Sequence, residues 1–204
     1  MILKADEIVN EIESSQDSGD PFVITPQPDV EKLKKSGSAS IDLRLGSWFL
    51  MLRQARVPVF DIYKGESDIP SESKLTKSHY VPFGESYILH PKAFVLGITL
   101  EWIRLPKKFA GYVVGRSSWG RHGLIIATAT GVHPGFTGCL TLELSNVGEI
   151  PITIKPGTTI CQLFIHDVKT TVPEKLDISQ FIGRRKPILG AIILDEVALK
   201  LAKG

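Results

Sequence analysis

Gly115-Arg116-Ser117-Ser118-Trp119-Gly120-Arg121-His122-Gly123 opens a segment that runs through Thr128-Ala129-Thr130-Gly131-Val132-His133-Pro134-Gly135-Phe136-Thr137-Gly138 to Leu140-Thr141-Leu142-Glu143-Leu144-Ser145-Asn146. Its last part alternates leucine with polar residues. That period of two predicts a strand with Leu140, Leu142 and Leu144 inward and Thr141, Glu143 and Ser145 on the opposite face. Its middle holds Gly131, Pro134, Gly135 and Gly138 within a few residues, which specifies a tight hairpin whose backbone a ligand can approach closely. Its first part sets two hydroxyls and Arg121 four residues after Ser117. If Ser117 opens a helical turn, the two share one face. Free N–H groups at such a turn, with the hydroxyls and Arg116, suit phosphate oxygens. An N-capped turn with solvated arginines explains the same residues. Glu143 alone reads as an ordinary solvent-facing strand carboxylate.

Around this segment the chain reads as a series of short strands. Ile41, Leu43 and Leu45 alternate with Asp42 and Arg44, and Trp48–Leu52, Val57–Ile62, Tyr87–Leu89, Phe94–Thr99 and Phe109–Val114 follow. Leu124–Thr130, Cys139–Leu144, Ile150–Ile154 and Thr159–Ile165 continue the run. Regular short strands separated by turn residues predict a β sandwich or barrel. Helix is expected only at Asp6–Ser15, where Ile8, Val9 and Ile12 share a face, at Val30–Lys35 before Gly37, and at Asp195–Lys203. Residues 1–168 form one expected domain. Residues 169–204, with Pro173-Glu174-Lys175 and the basic run Gly183-Arg184-Arg185-Lys186-Pro187, form a tail.

The composition narrows the function. The 204 residues are 43% hydrophobic, enough for a packed core, and the net charge of +2 gives no sign of a nucleic-acid binder. Two cysteines in apolar surroundings predict buried free thiols rather than a secreted disulfide framework. No membrane-length apolar run and no leader pattern follow Met1, so a soluble, cytoplasmic protein is expected.

In this order and spacing, Gly-Arg-Ser-Ser, the following arginine, the Pro-Gly-aromatic-x-Gly hairpin and Leu-Glu closely resemble the dCTP deaminase branch of the dUTPase superfamily. Ser40-Ile41-Asp42-Leu43-Arg44-Leu45-Gly46, Thr99-Leu100-Glu101, Leu105-Pro106, and Pro156-Gly157 through Ile160-Cys161-Gln162-Leu163 extend the likeness over about Ser40 to Ile165. The resemblance implies a mainly β, dUTPase-like barrel or sandwich of the β-clip type, with a short N-terminal helix and few others. It implies hydrolytic deamination of dCTP to dUTP and ammonia, with Glu143 as general acid/base and water held between its carboxylate and the Ala129 carbonyl. Arg121 and Ser117 would orient this network, the guanidinium favouring ionised Glu143, with Thr128 assisting. Arg116, Ser118 and Gln162 would hold phosphates, and Phe136 would lie under the sugar and disfavour a 2′-hydroxyl. Magnesium would arrive on the triphosphate. No zinc is implied: the Pro-Cys-x-x-Cys signature of zinc deaminases is missing, and no residue of the chain is expected to ligate a metal. The family further implies a homotrimer with sites between subunits.

Two departures stand out. His133 occupies the hairpin position where the family carries aspartate, the residue that activates water in dUTPases; it either hydrogen-bonds the sugar, acts as a base near neutral pH or is a plain hairpin side chain. No tyrosine follows Tyr112, although family tails close over the nucleotide with Tyr, Lys and Gln. Arg184, Arg185 and Lys186, with Phe181, are either a substitute lid or a solvated basic turn. The alternatives to a deaminase are a dUTP pyrophosphatase, alone or combined with deamination, and a nucleotide-binding regulator without turnover.

Overall fold

A computed structural model describes residues 1–53, 71–127, 131–168, 180–192 and 195–201 of the chain. Two antiparallel sheets carry the fold. The larger contains β1 (Val23–Thr25), β3 (Trp48–Leu52), β4 (Thr76–Tyr80), β6 (Phe94–Arg104), β8 (Leu124–Ala127) and β10 (Thr137–Asn146), ordered β4-β3-β6-β10-β8 with β1 also on β6. The second contains β2 (Ile41–Arg44), β7 (Phe109–Gly115), β9 (Gly131–Val132) and β12 (Thr159–Asp167), ordered β2-β12-β7-β9. A small pair, β5 (Tyr87–Leu89) with β11 (Ile152–Ile154), completes the strands.

Period-two patterning explains this packing. Leu142 and Leu144 of β10, Val95 of β6, Leu43 of β2, Val113 of β7 and Leu163 of β12 are nearly or fully buried in one hydrophobic cluster. Each such side chain contributes about 1.5–3 kcal/mol relative to an exposed one. The alternate residues Thr141, Glu143 and Ser145 lie half-buried on the other face of β10, as the alternation predicts. The two cysteines are free and buried.

Helices are few. α1 (Ala5–Ser14) buries Ile8, Val9 and Ile12, and Glu7 reaches back to accept the Lys4 N–H at 2.7 Å. α2 (Val30–Lys35) is capped by Asp29, which accepts the Lys32 N–H. α3 (Glu72–Leu75), β1, β4 and the short β9 were not separate in the sequence pattern. α4 is the single turn Ser117–Gly120, and α5 spans Glu196–Leu201 within the expected terminal helix. The expected strand Val57–Ile62, the last residues of Leu124–Thr130, Pro173-Glu174-Lys175 and residues 202–203 lie outside the described residues.

Residues 180–192 fold back on the larger sheet. The Gln180 side chain closes this segment, donating to the Ala191 carbonyl at 3.1 Å and accepting the Ala191 N–H at 2.9 Å. The Gly183 N–H donates to the Thr137 carbonyl at 2.7 Å, and the Arg184 carbonyl accepts the Cys139 N–H at 2.9 Å. The segment therefore occupies the start of β10, on the chain that carries it.

Candidate active site

The turn after β7 is fixed from both sides. The Arg121 N–H donates to the Ser117 carbonyl at 3.0 Å, so Ser117 and Arg121 do stand one helical turn apart. The Trp119 indole N–H donates to the Thr159 carbonyl at 3.0 Å and its ring packs on the core. His122 Nδ1 meets the Ser118 carbonyl at 2.7 Å. Ser117, Ser118 and Arg121 are all exposed, and their side chains make no hydrogen bond among the described residues. A rigid turn thus presents two hydroxyls and a guanidinium outward.

Arg116 and Gln162 converge on a residue that the sequence pattern did not single out. Asp42 Oδ2 accepts from Arg116 Nη1 at 2.7 Å, and Oδ1 accepts from Gln162 Nε2 at 3.2 Å. Strand register causes this: Gln162 faces Asp42 on β2 and Val114 on β7, two residues before Arg116. Gln162 also donates to Ser40 Oγ at 3.2 Å. The sequence marks Asp42 only by its place on the outward face of the Ile41-Leu43-Leu45 alternation. Two residues on, Arg44 is held by Glu101, whose carboxylate accepts from the Arg44 Nε at 2.6 Å and the Arg44 N–H at 2.8 Å. The Glu101 side chain is only 4% exposed, against 38% for Arg44. A cavity of about 340 Å³ is lined by Asp42, Arg44, Glu101, Arg116, Thr159 and Gln162, together with residues of α2. Its donors suit an anion, and Asp42 supplies the acceptor that holds them ready.

Glu143 lies elsewhere on the same chain. It pairs with Leu96 on β6 and Ala127 on β8, and its carboxylate makes no hydrogen bond among the described residues. Asn146 pairs with Leu124, at the end of β8 nearer α4. Glu143 lies three residue steps from that end, about 10 Å along β10. The fold therefore brings Arg116 together with Gln162 and Ser117 with Arg121; among the described residues no hydrogen bond joins the Glu143 side chain to either group. Thr128 and Ala129 lie outside the described residues.

The hairpin closes through a hydrogen bond from the Phe136 N–H to the His133 carbonyl at 3.1 Å. Pro134 and Gly135 are its central residues, and Gly135 at φ +76° supplies the positive φ that a type II turn needs. Phe136 packs against the core while the His133 side chain is exposed. Gly138 serves a different purpose. At φ +141°, a Cβ there would lie 3.3 Å from the backbone of both Gly183 and Arg184, so the glycine lets residues 183–184 lie flat on β10. Arg184 Nε donates to the Gln180 carbonyl at 3.2 Å, and Lys186 Nζ sits 3.8 Å above the Trp48 ring. Both cations are engaged within the chain's own tail and larger sheet.

Among the described residues, no cluster of three or more His, Cys, Asp or Glu is placed to hold a metal, and no helix is long and apolar enough to cross a membrane.

Known proteins match this chain over most of its length. A family profile described as dCTP deaminase-like matches residues 2–168. The protein named dCTP deaminase, dUMP-forming, of Methanobrevibacter smithii is 36% identical over 181 residues, covering 85% of this chain and 89% of that one. The dCTP deaminase of Halorubrum lacusprofundi is 41% identical over 150 residues, covering 73% of this chain and 71% of that one. The crystal structure of 2′-deoxycytidine 5′-triphosphate deaminase from Agrobacterium tumefaciens superposes with a TM-score of 0.58 at 22% identity. That match covers 85% of this chain and 50% of the Agrobacterium chain, and it supports the dUTPase-like fold. The chain belongs to the dCTP deaminase-like family.

Proposed function

We propose that the protein deaminates dCTP hydrolytically, with Glu143 as general acid/base. Water adds at C4 of the cytosine ring as one of its protons passes through the Glu143 carboxylate to N3. The second proton, from the new C4 hydroxyl, passes by the same carboxylate to the amine, and the C4–N bond breaks to release ammonia and leave the C4 carbonyl of dUTP. The observation that carries this reading is the state of Glu143: a half-buried carboxylate, facing away from the core and uncommitted to any described partner. Its register partner Ala127 lies two residues before Ala129, whose carbonyl would hold the same water.

Arg121 and Ser117 would polarise this network from a neighbouring subunit. The support is their exposed, unengaged side chains, with no hydrogen bond to Glu143 among the described residues. A homotrimer with sites between subunits meets that requirement. Arg116, Ser118 and Gln162 would take the phosphates, and Phe136 would lie under the deoxyribose. Magnesium would arrive on the triphosphate. When bound, the ion neutralises phosphate charge; the base chemistry runs on protein side chains without zinc.

The decisive experiment supplies dCTP and Mg²⁺ and follows ammonia, uracil nucleotides and pyrophosphate separately. Deamination that survives a zinc chelator and is lost in Glu143→Gln supports the mechanism; full activity in that variant overturns it. A second reading is favoured by the name of the Methanobrevibacter relative, dUMP-forming. Pyrophosphate release would establish it and show that His133 supports hydrolysis in place of aspartate. Nucleotide binding without either product would leave a regulator.

A further inference from the structure

A second cavity, of about 500 Å³, lies beneath the folded-back tail, on the side of the larger sheet that carries Trp48 and Trp102. Ile98, Leu100 and Trp102 alternate along β6 to form its floor, while Gly46, Ser47 and Trp48 form one wall and Cys139 another. Arg185 stands at its edge. The size matches small-molecule sites, and the wall is apolar with few polar groups, as such sites are.

One feature marks it as more than a packing gap. Arg185 is exposed and makes no hydrogen bond or ion pair among the described residues, whereas its neighbours Arg184 and Lys186 are both engaged. The indoles of Trp48 and Trp102 line it beside this guanidinium; Trp48 carries Lys186 Nζ 3.8 Å from its ring centroid and is braced by Tyr80, with ring centroids 5.0 Å apart.

We propose that this cavity is a second ligand site, built for a planar aromatic anion. The ring would lie against Trp48 and Trp102, and the acidic group would meet Arg185. The site is separate from the proposed catalytic groups yet close to one of them. Ile98 of its floor pairs with Thr141, and the next same-face pair on the two strands is Leu96 with Glu143. The occupant would also hold residues 183–185 against the start of β10. The inference does not depend on the chemistry proposed for Glu143.

Isothermal titration of the full chain with naphthalene-1-sulfonate, paired with uncharged 1-naphthalenemethanol, tests it. One sulfonate is expected per chain, with a change in tryptophan fluorescence and no displacement by saturating dCTP. Arg185→Gln should weaken the sulfonate by about tenfold, the equivalent of one charge-assisted hydrogen bond, and leave the alcohol unchanged. Trp102→Leu should weaken both probes. Equal sulfonate binding by Arg185→Gln, displacement by dCTP, or no binding to the unmodified protein would each overturn the proposal.

Discussion

Asp42 and Arg116 form a 2.7 Å ion pair between β2 and the turn after β7, and the second oxygen of the same carboxylate holds Gln162. Both partners are well exposed, so the pair adds at most about 1 kcal/mol to folding. Its consequence falls on the proposed substrate instead. Without Asp42, Arg116 and Gln162 must be ordered by the phosphates themselves. Asp42→Asn is expected to raise KM for dCTP by about fivefold while kcat changes little, the pattern of lost ground-state binding. Steady-state kinetics check this, and a fall in kcat at constant KM would contradict it.

Arg44 and Glu101 differ from that pair because one partner has no route to water. Removing Arg44 strands a carboxylate that is 4% exposed, whereas removing the charge of Glu101 leaves an arginine that can turn outward. Arg44→Met is therefore expected to cost about 3 kcal/mol, and Glu101→Gln clearly less. Urea unfolding of the two variants measures the asymmetry; equal losses would show that Arg44 does not shield Glu101.

The strand series, the alternation of β10 and the turn at Ser117 were legible in the sequence because each is set by neighbours in the chain. The Asp42–Arg116 contact was not, since it joins residues 74 apart through the registers of three strands. Local pattern marks Asp42 only as an outward residue. The tail was similarly hidden: its most visible feature is a basic run, but its docking depends on backbone groups of Gly183 and Arg184 meeting Thr137 and Cys139. Gly138 read as hairpin punctuation, and its role as the clearance for that docking appears only with the chain folded.

Gly138→Ala should release that docking. The new methyl group meets two backbone segments at 3.3 Å, and φ +141° disfavours any residue with a Cβ. Faster hydrogen exchange is expected at the Gly183 and Cys139 amides, with the strand amides at Leu142–Leu144 unchanged. Exchange that stays slow at Gly183 would mean the tail tolerates the methyl group.

Alkaline pH should destabilise the protein through its two thiols. Burial, reinforced by Glu101 and Asp42, pushes Cys161 up to about 12; burial also pushes Cys139 up to about 11, with Arg185 opposing and Glu101 adding. In the unfolded chain both thiols ionise near 9.0. Above that pH the unfolded state holds fewer protons than the folded one, so stability falls, by about 1.4 kcal/mol per pH unit for each thiol. The loss from Cys139 ends near 11 and that from Cys161 near 12. Cys161→Ala should flatten the decline of the urea midpoint across this window; an unchanged slope would assign the loss to other groups.

A site divided between subunits makes a prediction that no single-chain site can meet. Glu143→Gln and Arg121→Ala are each expected to be inactive, one lacking the proton carrier and the other the group that polarises it. If Glu143 of one subunit works with Arg121 of its neighbour, mixing the two variants after dissociation and reassembly regenerates intact sites. A site is whole only when its glutamate comes from an Arg121→Ala chain and its arginine from a Glu143→Gln chain, so equal random mixing restores about a quarter of full activity. If both residues act within one chain, every site keeps one lesion and the mixture stays inactive. The exposed, unengaged Ser117 and Arg121 side chains favour the first outcome, and the recovered fraction decides it.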